Sequence, residues 1–224
     1  MRSRRGILLA CVVVVIVGVA VLSATRGDEP GIVTPTPPAV GQSTPSIGAA
    51  PAGCSVAPRP LTFLATLVDA PEPEVTPIPI ESLPDGAPVD EATRGEVAAT
   101  VATLVSCTNA GELLRAFALY EDGYLHRILD PEGVMTRGIA NELAFSFATP
   151  EPVSVDRQTA LADLPVVRVM SDGRVAVVTE TNGGADDDDT EAELGLLILA
   201  RAADGRWLIV DGRTGLERAE LPAG

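Results

Sequence analysis

The chain has 224 residues, and its 16 basic against 31 acidic residues give a formal net charge of −15. This length is typical of one domain with appended segments rather than of two full domains. All 16 basic residues are Arg and four of them precede residue 27, so residues 27–224 carry 12 Arg against 31 acids, a net charge of −19. Such an anionic body repels phosphate backbones, which excludes nucleic acid as an expected partner.

The composition also limits the chemistry of any site. One His and three scattered Cys offer few ligands for zinc or an iron–sulfur cluster. The common nucleotide-binding, metalloprotease and hydrolase motifs do not occur. We therefore expect no cofactor, and the sequence indicates location and architecture more clearly than chemistry.

The N-terminal segment, residues 1–26, is a membrane anchor or a signal segment. An Arg cluster ending at Arg5 precedes an uncharged apolar run of 18 residues, Ile7–Ala24. A helix of that length spans roughly 27 Å, close to the ~30 Å hydrocarbon core. The flanking Arg residues predict a cytoplasmic N-terminus, a single membrane pass and a C-terminal part outside the cytoplasm. The alternative is a cleaved signal peptide and a secreted protein.

Residues 27–60 are rich in Pro, Thr, Ser and Gly, as in Thr34-Pro-Thr-Pro-Pro38. Such a segment forms no core, and we expect a disordered tether that reaches roughly 100 Å when extended. Residues 61–89 are a Pro-rich lead-in. They contain one apolar island, Leu61–Val68, which we expect to pack on the domain as a strand or a short helix.

Helical patterns follow in residues 90–150. Thr93 and Glu96 match a capping box at a first turn, and Val97, Val101 and Leu104 form one apolar stripe. Asn109-Ala-Gly111 predicts the end of that helix. A second helix is predicted from Glu112 to about Leu129, broken or kinked near Gly123. A third is predicted from about Arg137 to Phe147.

The pattern changes to strands after Pro152. One Asp-Gly turn lies between two apolar runs, Leu164–Met170 and Arg174–Thr181. A second Asp-Gly turn lies between Leu194–Arg201 and Arg206–Asp211. Two antiparallel hairpins are therefore predicted. Helices followed by hairpins indicate an α+β fold. The last two strands carry apolar residues on both faces. The helices can bury one face of the sheet, so the other face must be buried by a different partner. We expect a homodimer through that face of the sheet.

This order of parts resembles the nuclear-transport-factor-2-like (SnoaL-like) superfamily. The resemblance rests on the turn Asn109-Ala-Gly-Glu112 between helices and on the final strand Asp204-Gly-Arg-Trp-Leu-Ile209, and it covers residues 90–218, leaving 219–224 as a tail. It implies a cone-like domain, in which a curved antiparallel sheet wraps N-terminal helices around an apolar pocket, often dimerised through the sheet. Family enzymes usually place an Asp/His or Asp/Tyr pair inside the cone, and no such pair occurs on the strands here.

Several side chains are candidate site residues. Tyr120, Asp122, Tyr124 and His126 form the only cluster suited to acid–base catalysis. Helical spacing from His126 to Asp122 and Asp130 favours a charged, solvent-exposed face instead, so we expect that His126 is not a catalytic base. The alternative is that the helix ends at Gly123 and His126 turns inward on a strand.

Three further sets are weaker candidates. The acidic run Asp186, Asp187, Asp188, Asp189 could hold Ca²⁺ but is more typical of a solvated loop. Arg168, Arg174 and Arg201 lie on the sheet, where an inward Arg would bind an anionic ligand. The favoured interpretation is that these side chains are solvated at the sheet edge or pair with Glu180. The aromatic side chains expected in the core or the pocket wall are Phe117, Tyr120, Phe145 and Trp207.

Cys54 and Cys107 lie in the part of the chain that faces an oxidising compartment. A disulfide between them would fix the end of the tether to the first helix, and the alternative is a buried free Cys107. The leading interpretation of the whole chain is an exported, membrane-tethered accessory domain that binds a small apolar ligand or another surface protein without catalysis. The alternatives are an isomerase or dehydratase acting in the cone cavity, and a purely structural dimerising module.

Overall fold

The computed structural model describes residues 53–68, 83–131, 133–182 and 192–221. The predicted anchor at residues 1–26, the tether up to residue 52, the acidic run Asp186–Asp189 and residues 222–224 lie outside the described residues. Within the described ranges, no helix is both long and apolar enough to cross a membrane.

Apart from the two-residue strand β1, the helices come first in these ranges and the strands of the sheet follow. The helices are α1 (Phe63–Val68), α2 (Glu91–Asn109), α3 (Leu113–Phe117), α4 (Asp122–Leu129) and α5 (Arg137–Phe147). The strands are β1 (Ala87–Pro88), β2 (Ala160–Val169), β3 (Val175–Asn182), β4 (Glu193–Arg201) and β5 (Trp207–Thr214). They form one antiparallel sheet in the order β1-β2-β3-β4-β5. The prediction of an α+β fold is confirmed.

Both predicted hairpins are present. In the first hairpin, the pair next to the turn is Val169 of β2 opposite Val175 of β3. In the second hairpin, it is Arg201 of β4 opposite Trp207 of β5. The Gly of each Asp-Gly turn has a positive φ, +83° at Gly173 and +86° at Gly205, a conformation that Gly adopts without steric cost. Turn chemistry therefore sets the register at the turn end of each hairpin.

The N-cap of helix α2 lies three residues before Thr93, the N-cap that the predicted capping box implied. Its N-cap is Asp90, whose carboxylate accepts a hydrogen bond from the Thr93 amide at 2.8 Å. Asp is as good an N-cap as Thr, and this leaves Glu96 free to bond elsewhere. The helix ends at Asn109 as predicted, and Gly111 follows with φ +67°.

The break in the second predicted helix lies before Gly123 rather than at it. Residues 118–121 separate α3 from α4, and Gly123 lies in the first turn of α4. The cause is a long-range contact, because the Ile209 amide donates to Leu119 O at 2.8 Å and the Glu121 amide to Ile209 O at 2.9 Å. Pairing with the edge strand β5 thus interrupts the helix.

Two apolar clusters join the helices to one another and to the sheet. Val97 and Val101 of α2 pack on one sheet face against Val177, Leu199 and Ile209. A second cluster lies among α1, α3, α4 and α5, and its buried members are Phe63, Leu64, Leu67, Phe117, Leu125, Ala140 and Phe147. The apolar island at Leu61–Val68 therefore packs on the domain, as expected, with α1 as a short helix.

The other sheet face is covered by the chain itself. Val178, Leu196 and Ile198 are fully buried there, and Leu216 and Leu83 pack against the same cluster. The homodimer prediction was based on an apolar face left open by the helices. The covered face removes that argument, and the oligomeric state stays a prediction.

The folded unit begins earlier than predicted, since the sequence indicated a domain from residue 90 and a tether that extends to residue 60. Cys54 is fully buried and packs with Cys107 and Ala116. Arg59 donates from Nε to Phe117 O at 2.8 Å and from its two terminal nitrogens to Tyr120 O and the Asp122 carboxylate. Residues 53–60, which the sequence analysis assigned to the tether, are part of the domain.

Candidate functional site

The four candidate acid–base residues do not converge on a cavity. Asp122 is 81% exposed and forms an ion pair with Arg59. His126 lies on α4, but it is buried rather than solvent-exposed, which corrects the expectation of a wet face. Its Nε2 lies 3.7 Å from Asp130 Oδ2, as the i, i+4 spacing suggested, and Asp130 is itself held by the amides of Val134 and Met135.

The two tyrosines take part in packing. Tyr120 and Tyr124 both pack against the cluster beneath α2, with ring centroids 5.9 Å apart. The Tyr124 hydroxyl donates to Gly212 O at 3.3 Å. Burial raises the pKa of Tyr124 to about 12, with a further contribution from Asp211, and burial raises the pKa of Tyr120 still further above its usual range. Both hydroxyls therefore stay protonated at neutral pH.

The aromatic residues assigned to the core or pocket divide into two groups. Phe117 and Trp207 are buried, and Tyr120 packs beside the core. Phe145 is 82% exposed, so its assignment to the core is wrong. Helix α5 buries the side of Ala140 and Phe147, and at 100° per residue position 145 points away from that side.

The structure joins Cys54 and Cys107 by a disulfide that spans 53 residues of sequence. Both cysteines are fully buried. The bond fixes the start of the described domain to the last turn of α2, where the sequence had left a bridge and a free thiol as alternatives.

The most distinctive polar arrangement surrounds Trp207, at the start of β5. The indole Nε1–H donates to Glu96 Oε2 at 3.0 Å, and the same carboxylate forms an ion pair with Arg201. The Arg201 guanidinium lies over the Trp207 ring, 4.5 Å from its centroid. The hydrogen bond from Trp207, and then that from Arg201, hold the pKa of the Glu96 carboxyl below its usual range, so Glu96 is an anion at neutral pH.

Two grooves border this arrangement and share Trp207 as a wall. The larger, of about 360 Å³, is lined by Val56, Thr100, Thr103 and Leu119 beside Glu96, Arg206 and Trp207. The smaller, of about 270 Å³, is lined by Pro88, Val89, Asp90 and Thr93 beside Arg201 and Trp207.

One face of α2 runs along both grooves. Thr93, Glu96, Thr100 and Thr103 follow the i, i+3, i+7, i+10 spacing of a single helical stripe. The two grooves therefore lie along one face of α2 and meet at Trp207, and together they are called the Trp207 trough.

Trp207 and Arg201 are separate candidates in the sequence, whereas nothing in the sequence pattern points to Glu96 as their partner. The sequence pattern assigned Glu96 to a capping box, whereas its carboxylate bonds to a side chain 111 residues away. Arg174, weighed together with Arg201, instead pairs with Asp172 in its own turn at 2.6 Å.

No metal site is found in the described part of the chain, where no group of three or more His, Cys, Asp or Glu side chains is placed to hold an ion. The acidic run Asp186–Asp189 lies outside that part. Comparison of the chain with models of protein families, with curated proteins and with solved structures returns no match.

Proposed function

We propose that this protein is an exported, membrane-tethered accessory domain that binds a small apolar ligand or another surface protein at the Trp207 trough, without catalysis. The observation that carries the proposal is the trough itself, in which the one Trp of the chain is shared by two grooves. By contrast, Asp122, Tyr124 and His126 each contact a neighbour that ties them into the fold.

The location rests on the N-terminal sequence and is supported by the disulfide. A buried Cys54–Cys107 bond fits an oxidising compartment, and the apolar run Ile7–Ala24 after the Arg cluster fits a single-pass anchor. We expect the full chain in the membrane fraction of the producing cell, with the domain accessible to protease from the outer side only. Recovery of a shortened chain in the medium would favour the secreted alternative.

We also propose that the domain is a nuclear-transport-factor-2-like cone. In support, the helices α2 to α5 precede the main hairpins and α2 packs on one sheet face. Register shifts in β2 and β5 provide the bends that a curved sheet needs. The side chains beneath α2 pack into one cluster, which favours a surface site at the trough over one inside the cone.

Binding is tested through the fluorescence of Trp207, because the chain contains one Trp. Cyclohexanol is a soluble apolar probe small enough for the larger groove, and we expect it to shift the Trp207 emission to shorter wavelength as it displaces water. Ala99 lines that groove and Ala102 lies exposed on the same helix outside it. Ala99→Leu should therefore abolish the response, and the control Ala102→Leu should keep it. Equal responses in the two variants would refute binding in this groove.

A further inference from the structure

The Trp207 site has the composition of an arginine-binding site that is filled by the chain's own side chain. A guanidinium stacked on an indole ring gains cation–π attraction, and a carboxylate beside the ring completes its charge pairing. Arg201 has both partners here, the Trp207 ring at 4.5 Å and the Glu96 carboxylate. Glu96 is also fixed in place by the indole N–H.

The internal arginine is held by exposed contacts: besides the Trp207 ring and Glu96, it binds Gly205 O, to which a terminal nitrogen donates at 2.9 Å. The side chains of Arg201 and Glu96 are about half exposed, at 46% and 50%, and exposed ion pairs contribute little net stability. Trp207, in contrast, is buried in the core cluster and stays in place. Arg201 is thus the part of the site that an incoming group displaces most easily.

The charge of the chain favours a cationic partner. Residues 27–224 carry 12 Arg against 31 acids, and such a field concentrates cations at the surface. Two carboxylates line the trough, Glu96 and Asp90, while its two cations, Arg201 and Arg206, are already paired with Glu96 and Asp204. Displacement of Arg201 leaves an anionic site beside an aromatic ring.

We propose that Trp207 and Glu96 bind an arginine side chain of a partner protein, and that Arg201 occupies this site until the partner displaces it. This inference rests on the proposed function, since it names the chemistry recognised at the same trough. The neighbouring grooves on either side of Trp207 accommodate the residues that flank the partner's arginine.

The test is a titration of the full chain with the peptide acetyl-Ala-Arg-Ala-amide, followed by Trp207 fluorescence, with acetyl-Ala-Gln-Ala-amide as the neutral control. Arg201→Gln removes the internal competitor. We therefore expect the Arg201→Gln variant to bind the arginine peptide about tenfold more tightly than the wild type does. Arg174→Gln removes the same charge at the other hairpin and should bind like the wild type. Equal affinities of the Arg201→Gln and Arg174→Gln variants would overturn the proposal.

Glu96 provides the second pair of variants. In the Arg201→Gln background, where no internal arginine competes, Glu96→Gln should weaken binding of the arginine peptide about tenfold, because the carboxylate is replaced by a neutral amide. Glu91→Gln, in the first turn of the same helix, should leave affinity unchanged. Thermal unfolding of each variant confirms that it is folded, and a folded double variant Glu96→Gln with Arg201→Gln that binds as tightly as Arg201→Gln alone would overturn the proposal.

Failure of this inference is distinguishable from failure of the proposed function. If cyclohexanol shifts the Trp207 emission and the arginine peptide does not bind even to the Arg201→Gln variant, the trough is a binding site for apolar ligands and the arginine proposal is wrong. If neither cyclohexanol nor the arginine peptide changes the Trp207 emission, both proposals are wrong.

Discussion

The indole Nε1–H of Trp207 donates a hydrogen bond of 3.0 Å to Glu96 Oε2, linking the first turns of α2 to the start of β5. The two residues are separated by 111 positions in the sequence, so this bond fixes the last hairpin against the first long helix. It also holds a carboxylate beside an aromatic ring at the surface, and the proposals for binding depend on this geometry.

The Cys54–Cys107 disulfide is expected to stabilise the domain by restricting the unfolded chain. The bond closes a loop with a sequence separation of 53, for which loop entropy predicts about 4 kcal/mol of stabilisation. The double variant Cys54→Ser with Cys107→Ser should lose about that much free energy of unfolding in urea. Cys11→Ser, outside the domain, is the control, and a double variant as stable as this control would contradict the prediction.

Arg59 is expected to hold the interruption between α3 and α4. It donates to the carbonyls of Phe117 and Tyr120 as well as to Asp122, so Arg59→Ala should lower the free energy of unfolding by about 2 kcal/mol. Asp122→Asn removes only the exposed partner and should cost less than about 1 kcal/mol. If the two variants were equally stable, the carbonyl contacts would have no role.

Alkaline pH should destabilise the domain through its tyrosines. The pKa of Tyr124 is raised to about 12 in the folded state by burial, above the value near 10 of an exposed tyrosine. The raised pKa contributes stability that is complete below pH 10 and is lost as pH rises through about 12, since the unfolded chain releases its protons first.

This pH dependence is measured by absorbance at the tyrosinate band, because both tyrosines of the chain, Tyr120 and Tyr124, are in this core. We expect no tyrosinate below about pH 11 in the folded protein, and denatured protein titrating near pH 10 is the reference. A native titration that coincides with the denatured one would show that the two hydroxyls are solvated.

The elements that the sequence predicted well are those determined by short-range chemistry. The Asp-Gly turns at Gly173 and Gly205 fixed both hairpins, and Asn109-Ala-Gly111 fixed the end of α2. Two of the errors have a long-range cause. The helix break lies before Gly123 because this part of the chain pairs with Ile209. Glu96 accepts a hydrogen bond from Trp207 instead of forming the predicted capping box.

The C-terminal residues are expected to protect the second sheet face. Leu216 is buried against the cluster of Val178, Leu196 and Ile198, and its amide donates to Leu194 O at 3.1 Å. Removal of residues 215–224 should expose these side chains and increase self-association, because contiguous apolar patches mediate contacts between proteins. Sedimentation velocity measures the effect, with removal of residues 222–224 alone as the control. Unchanged self-association would mean that Leu216 is not needed to cover the face.

The most direct test of the binding trough is the indole Nε1–H resonance of Trp207 in a ¹H–¹⁵N correlation spectrum, since the chain gives one such signal. We expect this signal to move progressively when acetyl-Ala-Arg-Ala-amide or cyclohexanol is added, and to move little when acetyl-Ala-Gln-Ala-amide is added. An indole signal that stays fixed through saturating additions of both the arginine peptide and cyclohexanol would contradict a binding role for Trp207.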